Sequence, residues 1–310
     1  NGGIINAYGT NARLGAGEWI VVEADESDGT FIKLPATIAV ITNINPEHLD
    51  FYGSFNSLKK AFASFIENIP FYGLAVLCID HPEIQALLPQ ISDKKFITYG
   101  MSPLADIRAE NLKIRENHTN FDIVFSGRSK LAGKRLNDVS LPMVGKHNAQ
   151  NALAAAAIAQ EMEIPTKTLK KGLAEFSGIK RRFTVTGKTN GIVIVDDYGH
   201  HPTEISAVLA AARSIARAGV IAVFQPHRFS RVKNLFKEFC TCFYDADIVV
   251  VGDVYAAGET AIEGCDRGSL VKGLQARGHR NVLSLNHEKD LPNLIAGIVN
   301  KDDMVICLGA

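Results

Sequence analysis

The sequence predicts an α/β fold: a central, mostly parallel sheet domain, followed by a doubly wound, Rossmann-like unit. Three observations predict it. Short apolar segments rich in β-branched residues, such as "TIAVITNI" (37–44), "IVIVDDY" (192–198) and "DIVVVGD" (247–253), alternate with stretches of helical period. Such continuous apolar runs read as parallel strands buried on both faces. Several of these runs end in clusters of charged and polar residues, where ligands sit in open parallel sheets. Only 107–125 alternates apolar with polar residues ("IRAENLKI", "FDIVF"), as an antiparallel pair at a sheet edge does.

The elements follow in order. "WIVV" (19–22) reads as a strand, then 37–44 as the next. Phe55, Leu58, Phe62, Phe65, Ile66 and Ile69 mark one helix face, ended by Pro70. "GLAVLCID" (73–80) is a strand, "PEIQALLPQI" (82–91) a helix and "KFITYG" (95–100) a strand. After the alternating pair, "HNAQNALAAAAIAQEM" (147–162) is an Ala-rich helix, and a further helix runs to Phe176. "SGIKRRFTVTGKTNG" (177–191) breaks the rhythm with glycine and charge. A boundary near Ile179 divides the chain into domains 1–179 and 180–310. Beyond it, helices at 202–217, 230–243, 269–278 and 291–299 alternate with strands at 192–198, 220–225, 247–253, 281–285 and 304–309. The last strand ends the sequence and Asn1 begins it without Met, so a fragment of a longer chain is expected.

The bulk numbers narrow the function classes. Lys+Arg and Asp+Glu balance at 33 each, which disfavours nucleic acid or a membrane surface as partner. No apolar run is long enough to span a bilayer, and no signal peptide is visible. Five scattered cysteines without a C-x-x-C pair fit reduced thiols in the cytoplasm.

The chemistry is expected at the strand ends. "EADESD" (23–28) and "NPEHLD" (45–50) follow two consecutive strands, which are often neighbours in space. Glu23 and His48, side by side, suit a Mg²⁺ whose shell is completed by waters and phosphate oxygens. A solvated acidic loop beside an unrelated histidine is the competing reading. "RFTVTGKT" (182–189) imitates a phosphate loop, but Arg182 stands where a glycine is required, and the stretch does not join strand to helix. His147, Asn148 and Asn151 open a helix. Asn148 suits an N-cap, whereas two asparagines three apart can also read a purine edge. "VDDYGHHPTEI" (195–205) gathers two acids, a phenol and two imidazoles at a strand's carboxyl end, with Pro202 starting a helix. "VFQPHRFSR" (223–231) places His227, Arg228 and Arg231 at a helix start, where cations oppose the macrodipole unless an anion binds.

Taken in order, "EADESDGTF", "TNINPEHLDFYGSF", "HNAQNALAAAAIA", "VDDYGHHPTEI", "FQPHRFSR" and "VYAAGE" resemble the Mur ligase family over nearly all 310 residues. The resemblance implies a central ATPase domain and a C-terminal Rossmann-like domain, with the UDP-binding domain and phosphate loop lying upstream of this sequence. It implies ATP and Mg²⁺ as cofactors, with UDP-N-acetylmuramate and L-alanine as substrates of an acyl-phosphate ligation. It also implies that this fragment alone is inactive. By position, Glu23 and His48 match metal ligands, and His147, Asn148 and Asn151 the adenine site. Arg182 matches an arginine reaching the ATP phosphates, and Asp197 an acid at the ribose. Tyr198, His200, His227, Arg228 and Arg231 match the region holding the amino acid and acyl intermediate. Thr42 and Asn43 lie along the muramoyl path. A ligase that recycles a tripeptide, and a nucleotide-binding protein without catalysis, are the alternatives.

Overall fold

A computed structural model describes residues 2–91 and 93–310. The first sheet has order β1-β2-β3-β4-β5-β6. Its strands are β1 (Ile38–Ile41), β2 (Leu74–Cys78), β3 (Phe96–Gly100), β4 (Ile107–Arg115), β5 (His118–Phe125) and β6 (Arg135–Leu141). Pairing is parallel through β4 and antiparallel beyond it. The helices are α1 (Leu49–Tyr52), α2 (Phe55–Glu67), α3 (Pro82–Leu87), α4 (Lys146–Glu161) and α5 (Thr166–Ala174). Strand β2 is buried at every position, as its unbroken apolar run requires. Alanines of α4 pack on it without side-chain entropy cost, and one core runs from Phe31 to Leu173.

The second sheet has order β11-β10-β9-β12-β8-β7. It comprises β7 (Thr184–Thr189), β8 (Ile192–Asp197), β9 (Val220–Phe224), β10 (Ile248–Val251), β11 (Val282–Ser284) and β12 (Met304–Leu308). All neighbours are parallel except β7, which joins β8 antiparallel. Its helices are α6 (Pro202–Ile215), α7 (Phe229–Asn234), α8 (Phe236–Phe239), α9 (Arg267–Ala276) and α10 (Leu291–Ile298). Hydrophobic clusters built on Val195, Phe224 and Ile306, and on Val223 and Val305, cover the two faces. The α/β class with a mostly parallel sheet and a following Rossmann-like unit therefore holds.

Four local expectations need correction. Trp19–Val22 is not a strand: it is irregular, and Ile20 and Val21 are 86% and 94% exposed. An apolar run states a preference for burial, but a strand forms only where a neighbour takes its ladder bonds, and among the described residues this run pairs with none. The stretch assigned to an interdomain break forms β7, with Gly187 at a bulge. The phosphate-loop imitation thus lies on an edge strand, as far from a strand-to-helix loop as the spacing argument expected. The helix expected at 230–243 is two short ones, broken at Leu235, whose φ of −121° leaves the helical region. The segment 82–91 is α3 followed by a 3-10 turn at Leu88–Gln90, where Pro89 withholds its N–H.

Candidate active site

Three strand ends deliver side chains to one seam between the sheets. From β1, the chain passes through Thr42 and Asn43, both exposed, to Glu47 and His48. His48 adopts the left-handed region (φ 53°), capping α1. From β8 come Tyr198, His200 and His201, and from β9 come His227, Arg228 and Arg231. Arg228 is also left-handed (φ 68°). Non-glycine residues in that region carry a strain of about 1–3 kcal/mol, which neighbouring structure must hold in place. The Arg228 N–H donates to Tyr255 O (2.8 Å), and the Tyr255 N–H donates to Pro226 O (2.7 Å).

Glu204 organises the second-domain half. It is the N3 residue of α6 in a capping box with His201. Its carboxylate accepts from the backbone N–H groups of His200 (3.1 Å) and His201 (3.3 Å) and from Arg182 Nη1 (3.2 Å). Burial alone would raise its pKa, but His200, Arg182 and the backbone donor outweigh that and hold it below the usual value. Asp197 is buried. One oxygen accepts from Gly199 N (2.7 Å) and the other from Phe183 N (2.7 Å). Burial nevertheless raises its pKa.

The imidazoles have distinct hydrogen-bond states. His200 Nδ1 lies 3.2 Å from Tyr198 O, a carbonyl that can only accept. Nδ1 therefore carries the proton and Nε2 keeps its lone pair. His227 is the reverse, since Arg231 Nη1 donates to its Nδ1 (3.2 Å) and leaves Nε2 as the N–H. His201 Nδ1 accepts from Thr203 N (3.3 Å), and its buried Nε2 has no hydrogen-bond partner among the described residues, facing Glu47 Oε1 at 3.9 Å. Burial, with Arg231 or Arg182 nearby, lowers His200 and His147 to about 4, and burial lowers His201 to the same value. Burial raises Glu47 to about 7, although Arg231 opposes the rise. Tyr198, His200, His227 and Tyr255 form a row of rings with centroids 5.4, 6.2 and 5.3 Å apart.

Glu26, Glu47 and His48 each offer a ligand atom within 4.8 Å of the others. Glu26 Oε1 lies 3.8 Å and Glu47 Oε2 4.0 Å from His48 Nε2. Two carboxylates supply the hard oxygens a Mg²⁺ prefers, and one imidazole is tolerable beside them, so this donor set fits a divalent cation. Glu23, the acid chosen from the sequence, stands outside this group. It is exposed and accepts from Gly2 N (2.6 Å). Its register came from the strand that does not form. Asp25 and Asp28 close local turns onto Ser27 N and Thr30 N.

The α4 residues diverge from the spacing argument. Gly145, not Asn148, is the N-cap. Asn148 is buried and donates to Val144 O (2.8 Å), whereas Asn151 is exposed. His147 is largely buried beside Arg182 and Glu204. Sequence reasoning passed over Glu47, Glu204 and Tyr255, and it read Glu26, like Asp25 and Asp28, as an acid outside the ligand set or simply solvated. Glu204 had a legible signal, the capping-box spacing from His201. Glu47 precedes His48 directly within "NPEHLD", whereas Glu26 joins His48 only through tertiary contact.

Comparisons with known proteins bear on the family and the fold. Residues 10–159 match the Mur ligase middle domain, and residues 181–310 match the Mur ligase, glutamate ligase domain. A UDP-N-acetylmuramate–L-alanine ligase of Bradyrhizobium sp. (strain BTAi1) is 56% identical over all 310 residues, which span 66% of that protein. One from Parvibaculum lavamentivorans is 57% identical, with 63% of its length spanned. The chain thus covers just under two thirds of these relatives' length. Among solved structures, the UDP-N-acetylmuramate-alanine ligase of Thermotoga maritima superposes with a TM-score of 0.78 at 25% identity, covering all of this chain and 64% of that one. A murein peptide ligase of Psychrobacter arcticus shares the fold at a TM-score of 0.57, 21% identity and 90% coverage of this chain. The chain belongs to the Mur ligase family.

Proposed function

We propose that these two domains carry the condensation half of an ATP-dependent ligase that joins L-alanine to the lactyl carboxylate of UDP-N-acetylmuramate, a cytoplasmic step of peptidoglycan precursor synthesis. The domain boundary near Ile179 belongs to this reading. The observation that carries it is the convergence of Glu47, His201, Glu204 and Arg231 from both domains on one seam. Identity of 56% to ligases so named supports the substrate pair.

The γ-phosphoryl group of ATP passes to a carboxylate oxygen of UDP-N-acetylmuramate. ADP leaves and an acyl phosphate forms. The alanine amine then attacks the acyl carbon, and phosphate departs with that carboxylate oxygen. Glu26, Glu47 and His48 would hold Mg²⁺, which when bound offsets charge on phosphoryl oxygens. Glu23 remains a candidate for that shell by family resemblance. Arg228, Arg231 and the Nε2–H of His227 form a cationic wall for the anionic tetrahedral intermediate. His200 Nε2 is the free lone pair that receives the amine hydrogen. Arg182, fixed by Glu204, faces the seam where ATP phosphates would lie. His147, Asn148 and Asn151 form the proposed adenine region, with Asp197 at the ribose. Since Asn148 and Asp197 already hold backbone groups, their contribution there is to shape. Tyr198, Thr42 and Asn43 line the acceptor side.

The test is phosphate release in a relative-length ligase carrying these 310 residues, with ATP and UDP-N-acetylmuramate. L-Alanine dependence supports the proposal. Dependence on a tripeptide instead would assign the recycling reaction, and release without any amino acid would refute ligation.

A further inference from the structure

At the opposite end of the first sheet from the seam lies a cavity of about 360 Å³. It opens between the starts of β2 and β3, the loop after β5 and the last turn of α4. Lys94, Lys95, Arg128 and Lys130 line it, and Glu161 is the acid among the lining residues. The Glu161 carboxylate is clamped between two ammonium groups, with Lys95 Nζ at 2.5 Å and Lys130 Nζ at 3.2 Å. Those two lysines also complement the carbonyl end of α4, where Lys130 reaches Glu161 O at 3.4 Å. That explains two of the four cations. Lys94 donates to Ile69 O (3.0 Å), a neutral partner. Arg128 lies on the Phe96 ring at 4.4 Å. Its acidic neighbour is buried Asp106 at 3.8 Å, whose oxygens already accept from Thr98 N, Thr98 Oγ1 and Arg128 N. With Glu161 and Asp106 both counted, the cavity retains about two uncompensated positive charges, in a concave wall that focuses their field.

We propose that this cavity is a binding site for a polyvalent phosphoryl anion, separate from the catalytic seam. A dianion matches the charge left over. The fork of Arg128 and the ammonium groups of Lys94 and Lys130 suit phosphoryl oxygens. The cavity takes a pyrophosphate-sized group with room to spare. Nothing in the ligation reading calls for cations at this end of the sheet, so the proposal stands independently of it.

The probe is inorganic pyrophosphate, titrated calorimetrically into the 310-residue chain carrying Arg228→Ala and Arg231→Ala, which silences the cationic wall at the seam. Saturable binding at low salt, weakened at least about tenfold by adding Arg128→Gln with Lys94→Gln, is expected. No binding in the first chain, or unchanged binding after the second pair of changes, overturns the site. Amine labelling of the unmutated chain gives a readout without variants. Pyrophosphate should slow labelling of Lys94, Lys95 and Lys130 and leave Lys237 unaffected, whereas equal rates at all four with and without pyrophosphate contradict the proposal.

Discussion

His201 should make the second domain acid-labile, and a single substitution should remove the effect. Its Nδ1 accepts the Thr203 N–H as the cap of α6, and the ring is 3% exposed. Protonation would place a hydrogen on Nδ1 against that donor. Burial accordingly lowers the group from 6.5 in the unfolded chain to about 4. The depressed value means that the unfolded state binds more protons between these limits. Stability is therefore complete above pH 6.5 and declines as pH falls toward 4. From pH 7 to pH 5, nearly the whole change accrues over the unit and a half below 6.5. At about 1.4 kcal/mol per unit this is about 2 kcal/mol. Asn is among the best N-caps and does not titrate, so His201→Asn keeps an acceptor for Thr203 and loses the pH term. Urea unfolding followed by circular dichroism at both pH values gives the comparison. The unsubstituted chain should lose about 2 kcal/mol more than the variant between pH 7 and 5. Glu47 and His200 titrate in both chains and largely cancel. Equal losses in the two chains would refute the assigned hydrogen-bond state and the burial behind it.

Three further outcomes follow from the same geometry. Glu204→Gln leaves Arg182 and two backbone donors with a weaker acceptor, and should cost about 1–3 kcal/mol in urea unfolding. In a relative-length ligase it should lower kcat more than it raises the KM for alanine. Gly145→Ala sets a Cβ 2.8 Å from His147 Cε1 and 3.0 Å from Ala211 Cβ at a φ of 111°, so thermal unfolding should show a loss of about 1–3 kcal/mol. His48→Ala should weaken Mn²⁺ binding, read by electron paramagnetic resonance, by about tenfold or more, since it removes one of three ligands.

Much of the fold was legible because parallel strands declare themselves as apolar runs: β1, β2, β3, β8, β9, β10, β11 and β12 all fall within predicted segments. The antiparallel pair of β4 and β5 was legible in its alternation. Strand β6 was not, since "RLNDVSL" sits at the sheet edge and leaves charged residues exposed. Strand β7 was hidden by threonine, glycine and lysine for the same reason. Trp19–Val22 failed in the other direction, because composition cannot report whether a neighbouring ladder exists. At the site, strand-end position located His48, His200, His227, Arg228 and Arg231, whereas the approach of Glu47 to His201 and Arg231 depends on how the two sheets meet. Glu47 lies 154 residues from His201, and nothing local in either loop encodes their 3.9 Å approach.

The most direct test of the proposed ligation is the fate of the lactyl carboxylate oxygens. With UDP-N-acetylmuramate labelled with oxygen-18 in that group, a relative-length ligase carrying these residues should release inorganic phosphate containing one heavy oxygen per amide formed. Amide formation with unlabelled phosphate would contradict activation through an acyl phosphate, and with it the roles proposed for Arg182, His200, His227, Arg228 and Arg231.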